Sequence, residues 1–162
     1  MNTSWVQLFD KKLLGLARSN CWNITQADDL LPEKTPPGWK WYMTSSFARF
    51  HCSSCSNKWA SAKARILFNM RLQNGKGEVK VRFFKQQCRE NHDEEVNFVK
   101  PVFSEENIEQ VLDRLMTKIR QRCYNENIGK DHAAFRSDDN LQGPHETSHC
   151  EACSLGLCSE AV

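Results

Sequence analysis

The sequence lacks any long hydrophobic run. No stretch reaches the roughly 20 apolar residues that a membrane-spanning helix needs. Residues 1–20 also lack the uninterrupted apolar centre of a secretory signal peptide. We therefore expect a cytoplasmic protein without a membrane anchor, in which the glycosylation sequons at Asn2 and Asn23 are chance matches.

Two patterns of metal-dependent and redox enzymes are missing as well. The zinc-deaminase pattern, H-x-E followed by P-C-x-x-C, fails because Glu146 directly follows His145 and because His149 precedes Cys150. No thioredoxin-like βαβ pattern surrounds either C-x-x-C pair. These absences predict that the chain is not an enzyme and that its cysteines have a structural role.

Two strand-like runs joined by an Asn-Gly pair lie at the centre of the sequence. From Trp59 to Arg71 apolar and polar residues alternate, with Leu67 interrupting the polar side, and a second alternation covers residues 79–83. Asn74-Gly75 between the runs tolerates the positive φ of a tight hairpin turn. The pattern predicts an antiparallel hairpin.

Eight cysteines are present, and their spacing favours metal binding over disulfides. Cys52-x-x-Cys55 precedes the first strand and Cys88 follows the second, so pairing the strands brings three thiols to one end. Thiolates gathered in this way suit tetrahedral Zn²⁺. His92 is the nearest candidate for the fourth ligand.

A second cluster lies near the end of the sequence. It has the pattern H-x4-C-x2-C-x4-C, formed by His145, Cys150, Cys153 and Cys158, with His149 as a competing donor. Two divisions of the ligands stay open. In the simpler one the tail cluster binds a second structural zinc ion; in the other, Cys52 and Cys55 share an ion with Cys150 and Cys153.

The positive charge is concentrated in the predicted hairpin. Residues 56–89 carry a net charge of +8, because nine cations face only Glu78, whereas residues 90–162 carry −8. Two interpretations are open. The cations form a solvated outer face of the sheet, or they contact nucleic acid or an acidic surface. The candidate contacts are Lys63, Arg65, Lys80 and Arg82.

Two helices complete the predicted fold. Residues 4–18 show helical periodicity after a Thr3-Ser4 cap candidate, and Ser104 begins a helix whose apolar stripe spans residues 108–119. We expect this second stripe to pack on the apolar face of the hairpin. The fold class is therefore α+β, a zinc-ribbon-like antiparallel sheet with a packed amphipathic helix and an N-terminal helix. We place the N-terminal helix and a lead-in strand at residues 1–45 and the zinc-finger domain at 46–160.

Four segments, in order, resemble the receptor-transporting proteins, a family that carries the three-CxxC zinc finger. They are FHCSSCSNKWASA (50–62), VKVRFFKQQC (79–88), the predicted helix 108–119 with RCYNEN (122–127), and PHETSHCEACSLGLC (144–158).

The resemblance implies a cytosolic zinc-binding protein that helps G-protein-coupled receptors of the odorant or taste type leave the endoplasmic reticulum and reach the plasma membrane. Such receptors are then the expected partners, at the cytosolic face of either membrane, with contact to the membrane surface made through a partner. The alternative within the same family is an interferon-induced antiviral protein that binds RNA. The resemblance indicates no oligomeric state.

The sequence departs from the family pattern in two places. The middle CxxC is Cys88-Arg-Glu-Asn91, so its second thiol is missing. His92, a water molecule or another residue fills the place, or the first site binds weakly. Many members also end in a hydrophobic anchor. This sequence reaches Val162 without one, and two interpretations stay open: a soluble variant of the family, or a truncated form of an anchored protein.

Overall fold

Four strands form one sheet in the order β1-β4-β3-β2. The computed structural model describes residues 1–88, 98–127 and 149–157. The strands are β1 (Cys21–Gln26), β2 (Lys40–His51), β3 (Lys58–Gln73) and β4 (Lys76–Phe83), and a separate two-stranded pair is formed by β5 (Gln86–Gln87) and β6 (Phe98–Val99). The helices are α1 (Thr3–Leu13), α2 (Glu105–Cys123) and α3 (Glu151–Ser154), with 3₁₀ turns at Leu14–Leu16 and Pro32–Lys34.

The predicted hairpin is confirmed as β3 and β4. These strands pair antiparallel up to Gln73 opposite Lys76. Asn74 and Gly75 between them have φ of 53° and 75°, the left-handed values that an Asn-Gly turn accepts at little cost. The lead-in strand is also present, but β2 is longer than its predicted aromatic start and runs antiparallel to β3 over most of its length.

The sheet is mixed, whereas the sequence predicted antiparallel pairing throughout. β1 runs parallel to β4, with Trp22 beside Gly77 and Ile24 beside Val79. Two parallel neighbouring strands must be joined by a long crossover connection, which here consists of β2 and β3. The sequence therefore contains no local turn motif that predicts this pairing. The predicted fold class is confirmed in its other parts, including both helices and the helix-covered hairpin.

Both long helices cover one face of this sheet. Six buried apolar residues of α2 pack against the hairpin, with Ile66, Phe68, Met70 and Val79 among their partners. Trp5 and Phe9 of α1 belong to the same core. This packing buries the apolar stripes predicted for residues 108–119 and for the N-terminal helix, which is the main source of stability for an amphipathic helix.

The structure confirms the predicted N-cap of α2 and corrects the predicted N-cap of α1. Ser104 caps α2, since its side chain accepts a hydrogen bond from the Asn107 backbone N–H at 3.2 Å. The cap of α1 is Asn2, not Thr3 or Ser4, because Asn2 Oδ1 accepts from the Ser4 backbone N–H at 3.0 Å. α1 is also shorter than predicted, and Ala17, with φ of 52°, follows the 3₁₀ turn that ends it.

Side chains of α2 cover the outer edge of β2. Arg122 donates to the Trp41 carbonyl, Arg114 donates to the Ser45 carbonyl at 2.7 Å, and Asn107 donates to the Phe47 carbonyl at 3.1 Å. Farther along, Arg49 and Val102 exchange two backbone hydrogen bonds. These contacts satisfy carbonyls that an edge strand otherwise exposes to strands of other molecules.

The opposite face of the sheet carries a second, smaller cluster. Leu67 packs there with Phe84, Cys150 and Ala152, and Leu30 lies against the same group. This cluster explains why an apolar residue interrupts the polar side of the β3 alternation. None of the helices in the described part of the chain combines the length and apolarity needed to cross a bilayer. The division at residues 45 and 46 stays a prediction.

Candidate metal centre

Three thiols converge at one end of the hairpin. Cys52 lies just after β2, Cys55 lies in the loop before β3, and Cys88 directly follows β5. Their three sulfur atoms all lie within 4.8 Å of one another, and Cys52 and Cys88 are buried. We call these residues the first thiol group. The hairpin therefore brings together residues more than 30 positions apart, as the sequence predicted from strand pairing.

The spacing of the sulfur atoms fits a tetrahedral zinc ion. A Zn–S bond of about 2.3 Å gives an edge of about 3.8 Å between two thiolates of a tetrahedron. Cys55 Sγ and Cys88 Sγ are 3.7 Å apart. The donor set is also appropriate, because thiolates are the preferred ligands of structural zinc. The first thiol group therefore fits Zn²⁺, which would tie β2, β3 and β5 together at this end.

Asn57 braces the first thiol group at two points. Its backbone carbonyl accepts from the Cys52 N–H at 3.0 Å, and its side-chain Nδ2 donates to Cys88 Sγ at 3.5 Å. Such outer contacts orient metal ligands and stabilise thiolate charge. Sequence reasoning missed Asn57, although its position two residues after the Cys52-x-x-Cys55 pair placed it in the same loop.

The crowded thiols affect each other's protonation. A hydrogen bond from the Asn57 backbone lowers the pKa of the Cys55 thiol, but desolvation and hydrogen bonds with the Cys52 and Cys88 thiols outweigh it and raise the pKa overall. Three thiolates this close repel one another unless a cation lies between them. A divalent cation held by Cys52, Cys55 and Cys88 would supply the missing positive charge.

The tail knuckle, residues 149–157, lies beside the end of the hairpin. Cys150 forms an isolated β-bridge with Gln86, two positions before Cys88. Within the knuckle, Cys150 Sγ accepts from the Cys153 backbone N–H at 3.4 Å. Cys150 is buried and Cys153 is partly buried. The predicted ligands Cys150 and Cys153 therefore share one compact loop. This loop lies beside Gln86, two positions before Cys88 of the first thiol group.

Glu151 attaches the tail knuckle to the sheet. One carboxylate oxygen accepts from Arg82 Nη2 at 2.5 Å and the other accepts from the Lys85 backbone N–H at 3.0 Å. The Glu151 backbone N–H donates to the Lys85 carbonyl at 3.0 Å. Sequence reasoning missed this residue, since an ion pair across 69 positions leaves no local pattern.

Three predicted ligands, His92, His145 and Cys158, lie outside the described residues. Within the described ranges, the first thiol group is the one set of three ligand atoms that meets the 4.8 Å spacing. Neither Cys150 nor Cys153 joins that set among the described residues. The ligand sets and the number of ions stay predictions.

The four basic candidates do not form one solvent-facing surface. Lys63 and Arg65 are only 3% and 6% exposed, and each has interaction partners. Arg82 is partly buried; besides Glu151, it donates to the Leu30 carbonyl at 2.8 Å. Lys80 is partly exposed beside the Trp39 ring. The expectation of a solvated basic face is therefore wrong for Lys63 and Arg65, while nucleic-acid contact stays a prediction without test.

One further pattern involves the tail. Residues 145–149, His-Glu-Thr-Ser-His, match H-E-x-x-H, in which one helix presents two histidines to a catalytic zinc. Of these residues the structure describes His149, and the next residue, Cys150, has an extended backbone with φ of −99° and ψ of 122°. The pattern alone does not assign an enzyme, and the absence of enzymatic activity stays a prediction.

A helix-covered sheet with one cysteine cluster at the hairpin end and a second in a docked tail knuckle is typical of a zinc-ribbon domain. In agreement, a family model described as a zinc-binding domain matches residues 45–156. Receptor-transporting protein 3 of Mus musculus is 36% identical over 159 residues, and receptor-transporting protein 2 of the same species is 36% identical over 161 residues. The chain belongs to the receptor-transporting protein family, as its sequence motifs predicted.

The coverage of these relatives differs. The alignments include 96% and 94% of this chain, but 33% of mouse receptor-transporting protein 3 and 69% of mouse receptor-transporting protein 2. Receptor-transporting protein 4 of Homo sapiens is 28% identical over 162 residues, with 65% of its length covered. The chain thus spans one third to about two thirds of these relatives. No solved structure matches it.

The reactivity of two cysteines outside the first thiol group tests how the structure places Cys21 and Cys123. Burial raises the pKa of the Cys123 thiol to about 11, against smaller lowering effects of Lys40 and Arg122. At pH 8 roughly one Cys123 in a thousand is then a thiolate, and this fraction rises tenfold per pH unit. We expect iodoacetamide to modify exposed Cys21 rapidly and Cys123 slowly, with faster Cys123 labelling as the pH rises. Peptide mass spectrometry measures both rates. Equal rates at pH 8 would contradict the raised pKa of the Cys123 thiol.

Proposed function

We propose that this protein is a zinc-stabilised accessory protein that promotes delivery of G-protein-coupled receptors of the odorant or taste type to the plasma membrane from the cytosolic side. The observation that carries the proposal is the similarity over nearly the whole chain to relatives named receptor-transporting proteins. Their names indicate receptors as partners in general. The receptor class and the destination are the proposed parts.

The candidate metal centre supports an accessory role. The first thiol group lies where three strands end, and two of its sulfur ligands are buried, which is typical of a closed structural zinc site. A structural ion supplies folding free energy and fixes the outer surface. The zinc ion is thus expected to act on receptor delivery through the fold of the domain.

RNA binding has less support as the second function. Two of its four proposed contact residues, Lys63 and Arg65, are buried, and Arg82 is occupied by Glu151 and Leu30. A non-specific RNA site needs a continuous exposed groove of cations and stacking rings. The described surface of the hairpin does not provide one along these four side chains.

Receptor delivery is testable in cells that lack endogenous relatives. A panel of epitope-tagged odorant-type and taste-type receptors is expressed alone, with the wild-type protein, or with Cys88→Ser. We expect the wild type to increase surface receptor several-fold by flow cytometry on intact cells, and the Cys88→Ser protein to lose this effect. Cys21→Ser, at an exposed thiol outside the first thiol group, serves as the control. Unchanged surface levels for every receptor, with the wild type well expressed, would refute the proposal.

A further inference from the structure

A groove of about 740 Å³ lies at the N-terminal end of β2, far along the hairpin from the first thiol group. We call it the aromatic-basic groove. Its lining includes Pro36, Pro37, Trp39, Lys40, Trp41 and Arg122. Trp41 is 44% exposed. A tryptophan ring that is partly exposed beside a groove is available to contact another phase or molecule through an apolar body and a polar N–H.

Two cations, Lys40 and Arg122, line this groove, and three more lie over aromatic rings near it. Arg71 and Lys80 lie 4.5 Å and 5.0 Å from the centre of the Trp39 ring, and Lys118 lies 5.4 Å from that of Tyr42. Together with Lys40 and Arg122 they make five positive charges. Among the described residues, one ion pair involves this set, that of Arg71 with Glu78 at 3.0 Å.

Two of the positive charges, Lys118 and Arg122, are close enough for one to affect the other. Burial lowers the pKa of Lys118, and repulsion from Arg122 lowers it further. Glu78 neutralises one of the five cations, so the groove keeps an excess of positive charge. Charge complementarity therefore indicates an anionic partner.

An extended peptide strand and a stacked nucleic-acid base both fit the groove poorly. The outer carbonyls of Trp41, Ser45 and Phe47 already accept hydrogen bonds from α2, so a peptide strand cannot pair with this edge of β2. Arg71 and Lys80 lie over the Trp39 ring and compete with base stacking on it.

We propose that the aromatic-basic groove docks the protein directly on an anionic lipid surface. Tryptophan favours the boundary between lipid head groups and acyl chains, because its ring is apolar and its N–H is polar. Lysine and arginine beside it are attracted to acidic head groups within about one Debye length. Trp41 enters the interface, and Lys40 and Arg122 contact the head groups, while Arg71 and Lys80 add positive charge on the same face of the sheet as Trp41. This docking depends on the groove alone and not on the receptor assignment.

The test uses the purified full chain and two kinds of vesicle. Large unilamellar vesicles of phosphatidylcholine with about 30% phosphatidylserine by mole, and vesicles of phosphatidylcholine alone, are sedimented with the protein at about 0.1 M and 0.5 M salt. We expect binding to the anionic vesicles at low salt, with an affinity at least about tenfold lower in Trp41→Ala and in Lys40→Glu.

The controls are matched in residue type and exposure. Phe47→Ala removes an aromatic residue that is 40% exposed on the same strand, and Lys58→Glu reverses an exposed charge at the other end of the hairpin. Both are expected to keep wild-type binding. Circular dichroism checks that all four variants are folded.

Three results would overturn the proposal. The first is equal sedimentation with both kinds of vesicle or with neither. The second is a loss of binding in Phe47→Ala or Lys58→Glu that equals the loss in Trp41→Ala. The third is that polyuridylate or polyglutamate binds the wild type while anionic vesicles do not, which would assign the groove to a nucleic acid or an acidic peptide.

Discussion

Replacing Cys88 by alanine is expected to remove zinc from the first thiol group and to lower the free energy of unfolding by roughly 3–5 kcal/mol or more. Cys88 is the thiol that joins the end of β4 and β5 to the Cys52-x-x-Cys55 loop, with its sulfur 3.7 Å from that of Cys55. Without it, two thiols remain, and two ligands hold structural zinc poorly. The loss is comparable with the whole stability of an ordinary domain.

Thermal unfolding followed by far-ultraviolet circular dichroism measures this effect. For a chain of this size we expect the melting temperature to fall by about 10 °C or more. A strong zinc chelator should lower the melting temperature of the wild type more than that of Cys88→Ala, because the variant has already lost one site. Cys21→Ala is the control, since Cys21 is exposed and lies on β1, outside the first thiol group. A wild-type melting curve for Cys88→Ala would show that these thiols hold no stabilising metal.

Replacing Gly77 by alanine is expected to destabilise the protein by about 2–4 kcal/mol. Gly77 is buried on β4, directly beneath the indole ring of Trp22. A Cβ atom there would lie 2.0 Å from a ring carbon, far inside van der Waals contact. The ring would have to move out of the core shared by both helices.

Moving Trp22 also breaks a short hydrogen-bond chain. Trp22 Nε1 donates to Tyr124 Oη at 2.9 Å, and Tyr124 Oη donates to Asn20 Oδ1 at 2.8 Å. The chain links β1 to the residue that follows α2. A displaced ring leaves a partly buried donor without its partner, which adds to the packing cost.

Urea unfolding of Gly77→Ala and Gly15→Ala separates this clash from the general effect of losing a glycine. Gly15 has no atom within 4 Å of the position of an added Cβ, so its variant is expected to lie within about 0.5 kcal/mol of the wild type. Gly77→Ala should shift the midpoint strongly at an unchanged slope. Equal midpoints for the two variants would mean that Trp22 rearranges freely at Gly77.

The parts of the fold that local chemistry determines were predictable from the sequence. Asn74-Gly75 specifies the turn, alternation specifies the strands on each side, and Ser104 with the apolar stripe of residues 108–119 specifies α2. Once the hairpin is placed, the meeting of Cys52, Cys55 and Cys88 follows from strand pairing alone. Local motifs therefore gave the centre of the molecule and the first thiol group.

The remainder depends on contacts between segments distant in sequence. β1 pairs with β4 across more than 50 positions of the sequence. The six residues of β1 contain no motif that predicts a parallel partner strand. Lys63 and Arg65 lie on the polar side of an alternating strand, and nothing in that strand shows that its outer face is covered. Docking of the tail knuckle through Glu151 and Arg82, and packing around Leu67, occurs across that face. Burial of charged residues could not be inferred from alternation.

The most direct measurement is the zinc content per chain by plasma mass spectrometry, on protein purified without added metal. Wild type, Cys88→Ser, His92→Ala and the control Cys21→Ser are compared. We predict two zinc ions in the wild type and in Cys21→Ser, and one in Cys88→Ser; a loss in His92→Ala would identify His92 as the fourth ligand of that ion. A wild type without zinc, or a Cys88→Ser protein with the full wild-type content, would contradict a structural zinc ion at Cys52, Cys55 and Cys88.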